Sequence, residues 1–133
     1  MSLSKIKILV VDDEPLTLEL MKHSLEACGK FSVTTRTRCH EALKLLTRFP
    51  DSFDIILSDW NVPGLSGLDF LRRAREISPE VPFIMVTGNS DKTHVVEAIS
   101  EGISGYVVKP FRQQGLLEKV GDVWCRHQFS EKI

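Results

Sequence analysis

Apolar and polar positions alternate along the chain on two different scales. Five short strand-like runs, four of them apolar, each end on a polar residue, and segments with apolar residues at helical spacing separate them. The first run, Lys5 to Val11, has five apolar residues in seven and gives way to Asp12-Asp13-Glu14-Pro15. It predicts a buried strand entering a loop and then a helix, with Pro15 tolerated in the first helical turn. That helix carries Leu18, Met21, Leu25 and Cys28 on one face, and Gly29 is its natural stop. Phe31 to Arg36 is β-branched but polar, as an edge strand would be. A second helix over 40–49 presents Ala42, Leu45, Leu46 and Phe49, and Pro50-Asp51-Ser52 breaks it.

The third run, Ile55 to Leu57, follows Phe53-Asp54 and stops at Ser58-Asp59. An aliphatic stretch this short suits a strand buried on both faces of a parallel sheet. Pro63-Gly64 marks a turn, a loop continues through Gly67, and a helix with Phe70, Leu71, Ala74 and Ile77 on one side comes next. Pro79 and Pro82 bracket the following turn. Phe83 to Thr87 is a fourth strand. Asp91 can cap a helix holding Val95, Ile99 and Ile103. Gly105 to Val108 is a fifth strand, ended by Lys109-Pro110. The last helix carries Leu116, Leu117, Val120, Val123, Trp124 and His127. Strand and helix alternate five times, which predicts an α/β domain built on βαβ units, with a parallel sheet covered on both faces.

Composition adds exclusions. A chain of 133 residues with 42% hydrophobic and 26% charged content is one ordinary domain with a core of its own. Net charge is −1, with Lys and Arg spread along the chain, which argues against bulk nucleic-acid or membrane-surface binding. No apolar run approaches a membrane span, and no signal peptide is visible. The three cysteines, Cys28, Cys39 and Cys125, read as free thiols of a cytoplasmic protein. No two of the four histidines have metal-ligand spacing: His23, His40 and His94 are expected at the surface and His127 at the core edge. Trp60 is expected to be partly exposed, and Trp124 to sit in the core. Arg72, Arg73 and Arg75 read as a solvated face. Residues 1–4 read as an N-terminal tail, with Met1-Ser2-Leu3 like an expression remnant. Residues 5–129 form the domain and 130–133 a C-terminal tail.

The polar residues at the strand ends carry the chemistry. Parallel strands put their carboxyl ends on one edge, where ligands bind in open α/β sheets. Asp12 and Asp13, Asp59, Thr87 and Lys109 therefore converge. Three neighbouring carboxylates repel, which raises at least one pKa. A hard divalent cation removes that conflict, and Mg²⁺ suits a site of few carboxylates and several waters. The bland alternative is that Asp12 and Asp13 only cap the first helix.

At this point the motifs resemble a known family. Ile8-Leu-Val-Val-Asp-Asp-Glu-Pro15, Ser58-Asp-Trp-Asn-Val-Pro-Gly64, Val86-Thr87 and Gly105-Tyr-Val-Val-Lys-Pro110 are similar to the receiver domains of two-component response regulators, the CheY-like type above all. The resemblance covers about residues 5 to 128. It implies a flavodoxin-like, doubly wound sheet of five strands in the order 2-1-3-4-5. It further implies Asp59 as phospho-acceptor, with Asp12, Asp13, Asp59 and the backbone carbonyl of Asn61 serving Mg²⁺ or, as a substitute, Mn²⁺. Thr87 and Lys109 would hold the phosphoryl oxygens, and Thr87 with Tyr106 would form the switch. A cis Lys109-Pro110 bond is expected on the same ground.

The implied function is a signalling switch, catalysing only its own phosphoryl transfer and loss. Its phosphoryl donor would be a histidine kinase or a phosphotransfer protein. Its output would pass to a downstream protein, an output domain or a second copy (a homodimer), through the face of helix 91–102, strand 105–108 and helix 112–129. Direct nucleic-acid contact and membrane association are not expected. Two alternatives compete. A degenerate receiver acting as an unphosphorylated interaction module is opposed by the complete set of acids, Thr and Lys. An aspartyl-phosphate hydrolase of the haloacid dehalogenase type is opposed by Asp59-Trp60-Asn61, which lacks that class's second acid.

Overall fold

The computed structural model describes residues 4–62, 64–88 and 92–131, with backbone alone at 61, 92–95, 130 and 131. The helix cap expected at Asp91, the side chains of His94 and Val95, and all but the edges of both expected tails lie outside the described residues. In chain order the elements are β1 (Ile6–Val11), α1 (Pro15–Glu26), β2 (Phe31–Arg36), α2 (Cys39–Arg48) and β3 (Ile55–Asp59). Then come β4 (Asn61–Val62), β5 (Leu65–Ser66), α3 (Gly67–Ile77), β6 (Phe83–Gly88), α4 (Lys92–Ser100), β7 (Gly105–Lys109) and α5 (Gln113–Glu131).

Five strands pair in parallel in the order β2-β1-β3-β6-β7. The two-residue strands β4 and β5 pair with each other, antiparallel. With that small hairpin set aside, the order is the expected 2-1-3-4-5.

The pleat sorts strand residues onto two cores. Ile8, Val10, Ile55, Leu57, Ile84, Val86 and Val107 face α1 and α5, where Leu18, Met21, Leu25, Leu116, Val120 and Val123 meet them. Leu9, Val11, Ile56, Phe83 and Met85 face the other way, against Ala42 and Leu46 of α2, Phe70, Leu71 and Ala74 of α3, and Ala98 of α4. Burying both faces removes the central strands from water altogether, which is why they read as unbroken aliphatic runs.

Several sequence expectations need correction. α1 ends at Glu26, so Cys28 lies beyond it and is exposed. The buried face of α2 is Cys39, Ala42, Leu43 and Leu46, not the 42/45/46/49 set. The helix begins one residue earlier and stops at Arg48, which turns Phe49 out, with the Arg48 guanidinium over its ring. Ile99 of α4 is exposed, and Ala98 takes the buried position. Trp124 packs against the core but remains partly exposed, with its ring 6.0 Å from that of His127.

The arginine run also divides. Arg72 bridges Asp69 and Glu101, at 3.3 and 3.1 Å. Arg75 is not solvated: it donates to the carbonyls of Val81 and Gly102, tying two loops together. Burial lowers its guanidinium pKa.

Candidate functional site

Register brings the strand-end residues together. Val11 pairs with Ser58, Asp59 with Val86, and Thr87 with Val108. One residue past these pairs, Asp12 follows β1 beside Asp59, and Lys109 closes β7. Asp12, Asp13 and Asp59 each offer a carboxylate oxygen, and these oxygens lie within 4.8 Å of one another.

The three acids are not equivalent. Asp12 is almost fully buried (1%), Asp59 is partly buried, and Asp13 is exposed. The two oxygens of Asp12 divide their work. Oδ1 accepts the Glu14 backbone N–H at 2.9 Å, shaping the turn into α1, while Oδ2 accepts from Lys109 Nζ at 3.1 Å. Asp12 does not cap α1, whose N-cap is Glu14 with no side-chain cap hydrogen bond; it braces the turn that leads into the helix. Lys109 Nζ also lies 3.3 Å from Asp59 Oδ2. The Lys109-Pro110 bond is cis.

The electrostatics follow from burial and pairing. Burial raises the Asp59 pKa above its ordinary 3.8; Asp12 adds to the rise, and Lys109 and the Trp60 backbone oppose it. Desolvation therefore outweighs the acid–acid repulsion that the sequence suggested. For Lys109, burial alone would lower the ammonium pKa, but its hydrogen bonds and ion pairs with Asp12 and Asp59 together hold it above 10.5. A single, partly exposed ammonium thus partly neutralises two carboxylates, one fully and one partly buried.

Thr87 is buried, and its hydroxyl donates to the Gly88 carbonyl at 3.1 Å. Tyr106 pairs with Met85 across β6–β7, two residues before the partner of Thr87. The residue is 41% exposed, with Lys119 Nζ 5.9 Å from the ring centroid. Asn61 opens β4 two residues beyond Asp59 and pairs with Ser66.

Trp60 departs from expectation: it is 8% exposed and belongs to the α2–α3 core. Its N–H donates to the Val86 carbonyl, and its own carbonyl accepts the Gly67 N–H at 2.7 Å. A Cβ on Gly67 would stand 2.8 Å from that carbonyl oxygen, so only glycine allows the approach. Gly64, at φ +100°, turns the hairpin back so that the chain re-enters α3, which Ser66 caps by accepting the Asp69 N–H. Sequence reading ended the loop at Gly67 but missed the Ser66 cap and the close approach of Gly67 to the Trp60 carbonyl. The available signal was a serine followed three residues later by an acid, just before an apolar face.

The response regulator receiver domain family model matches residues 8–121. The chain belongs to this family. Among relatives of this receiver, the chemotaxis protein CheY of Pseudomonas aeruginosa is 37% identical over 123 residues, covering 91% of this chain and 98% of the relative. A chemotaxis protein CheY homolog of Campylobacter jejuni is 37% identical over 120 residues, 89% of this chain and 92% of the relative. Among solved structures, a response regulator receiver domain protein from Clostridium thermocellum superposes with a TM-score of 0.86 at 34% identity, covering 93% of this chain and 98% of that one. CheY4 of Vibrio cholerae gives 0.82 at 29% identity, covering 90% and 99%. The receiver's acid cluster is compatible with a divalent cation. Among its described residues, no helix is long and apolar enough to cross a membrane.

Proposed function

We propose that this receiver accepts a phosphoryl group on Asp59 from a histidine kinase or phosphotransfer protein, and that residues 5–129 act as the switching unit in the cytoplasm. The observation that carries the reading is the placement of Asp59 Oδ2, 3.3 Å from Lys109 Nζ and beside Asp12 and Asp13 at the carboxyl edge of the sheet. An Asp59 carboxylate oxygen attacks phosphorus. The new P–O bond forms as the P–N bond of the phosphohistidine donor breaks, and the leaving imidazole takes the electron pair.

Lys109 already spans Asp12 and Asp59, so its point charge needs little reorganisation to meet the phosphoryl oxygens. Asp12, Asp13, Asp59 and the Asn61 carbonyl are hard oxygen donors of the kind Mg²⁺ or Mn²⁺ takes. When bound there, such an ion would neutralise the acids and the charge of the transferred group. Asp12 and Asp13 orient that end of the site, with Asp12 fixed by the Glu14 N–H.

The switch runs through Thr87. Its hydroxyl is occupied by the neighbouring Gly88 carbonyl. A phosphoryl oxygen is a stronger, charged acceptor and would draw the hydroxyl across. Movement of Thr87 on β6 opens room beside β7, and the outward Tyr106 ring turns in. This changes the face of α4, β7 and α5 presented to a downstream protein, an output domain or a second copy. A coupling of about 1–3 kcal/mol suffices.

The test is incubation with acetyl phosphate and Mg²⁺, read by intact mass. The wild type gains one base-labile phosphoryl group, and Asp59→Asn gains none. Labelling of the variant at the wild-type level refutes the assignment.

A further inference from the structure

α2 carries His40, Lys44 and Arg48 four residues apart, so they form one row along its exposed side. Arg73 of α3 faces this row. The two helices leave a groove between them made of two adjoining hollows of about 390 and 380 Å³, which share Leu43, Thr47 and Arg73. The hollow beside Lys44 and Arg48 has no acid in its lining, and the other has Glu76 alone. Ile77 forms part of the apolar floor with Leu43.

Lys44, Arg48 and Arg73 form no ion pair with a described residue, whereas neighbouring Arg72 forms two. Like charges at i and i+4 repel, so the Lys44–Arg48 pair is unfavourable in isolation and is relieved by an anion. The chain as a whole carries −1, so the positive face is a local feature and not a general one.

We propose that this groove docks an acidic peptide segment of a partner protein. Two or three of its carboxylates would meet Lys44, Arg48 and Arg73, and one apolar side chain would meet Leu43 and Ile77. The row from His40 to Arg48 spans only ~12 Å. That length fits a few carboxylates of a short segment but not the backbone of a nucleic acid, and no Phe, Tyr or Trp lines the hollows as a platform for bases. None of Asp12, Asp13 and Asp59 lines the groove, and the proposal does not rest on phosphorylation. The groove does touch the hairpin after Asp59: a Cβ on Gly64 would stand 3.0 Å from the His40 ring.

The test is a titration of the ¹⁵N-labelled 133-residue protein with a blocked hexapeptide, Glu-Glu-Leu-Glu-Glu-Leu, beside oligo-dT and inorganic phosphate. The peptide is expected to shift amides at 40–48 and 73–77, and to weaken roughly threefold between 50 and 300 mM salt. Lys44→Glu with Arg73→Glu should weaken it at least tenfold, and the milder Lys44→Gln with Arg73→Gln severalfold, each with an otherwise unchanged spectrum. No shifts in these segments, equal binding by the variants, or tighter binding of oligo-dT or phosphate at the same amides would overturn the proposal.

Discussion

The two halves of the site edge are built differently. Behind Asp59 stands α3, which is capped by Ser66, pinned through Gly67 to the Trp60 carbonyl, and sunk into the core by Phe70, Leu71 and Ala74. Behind Thr87 stands α4, whose described side chains bury only Ala98, while Val96 and Ile99 lie exposed. β7 beside it leaves Tyr106 and Val108 half in water. One half seats Asp59, the proposed phospho-acceptor, against a well-packed helix. Among its described side chains the other has little apolar burial to lose on moving, which suits the proposed switch. Lys109 belongs by sequence to the second half and by ion pairing to the first, so it bolts the two together.

The largest effect should come from breaking the fixed half. Phe70 is fully buried and packs edge-on against Phe83, with ring centroids 5.6 Å apart. Phe70→Ala should cost about 3–5 kcal/mol in denaturant unfolding. A loss below 1 kcal/mol would mean that α3 is no anchor. Next comes the bolt. Lys109→Met leaves two partly or fully buried carboxylates without their counter-charge, and should cost about 2 kcal/mol at neutral pH, discounted for the partial exposure of Lys109.

Asp59 itself should act with the opposite sign. Its folded-state pKa is raised above 3.8, so the fold favours the protonated form. That stability is fully present below 3.8 and lost as pH rises through the folded value. Asp59→Asn, measured without metal, should therefore raise Tm at pH 7 by roughly 1–3 °C. The gain should vanish below the ordinary carboxyl range, and a lower Tm at pH 7 would contradict the desolvation account. The smallest effect belongs to the loose half: Ile99→Ala should fall within about 0.5 kcal/mol of wild type.

Much of the sheet and its site edge was legible in sequence because the signals are local. Buried parallel strands need continuous aliphatic runs, and 55–57 and 83–87 supply them. Polar residues at strand ends then placed Asp12, Asp59, Thr87 and Lys109 at one edge, because parallel register leaves them no other. The face of α2 was misread because one residue of helical phase is 100°, and the apolar set 42/45/46/49 competes with 39/42/43/46. Trp60 and Arg75 were misread for another reason. Their burial depends on the hairpin after Asp59 and on two loop carbonyls, contacts that no periodicity encodes. Ile99 was assigned to the core on spacing alone, where Ala98 occupies the buried position.

The central claim is that one half of the edge stays fixed while the other reads the phosphoryl group through Thr87. Amide chemical shifts with and without beryllofluoride and Mg²⁺, in wild type and in Thr87→Ala, address it directly. In the wild type, changes should extend from residue 87 through α4 and β7 to about residue 120, with α3 little affected. Thr87→Ala should lose most of the changes around Tyr106. Changes confined to residues touching Asp59, equal changes in α3, or an undiminished response without the Thr87 hydroxyl would contradict it.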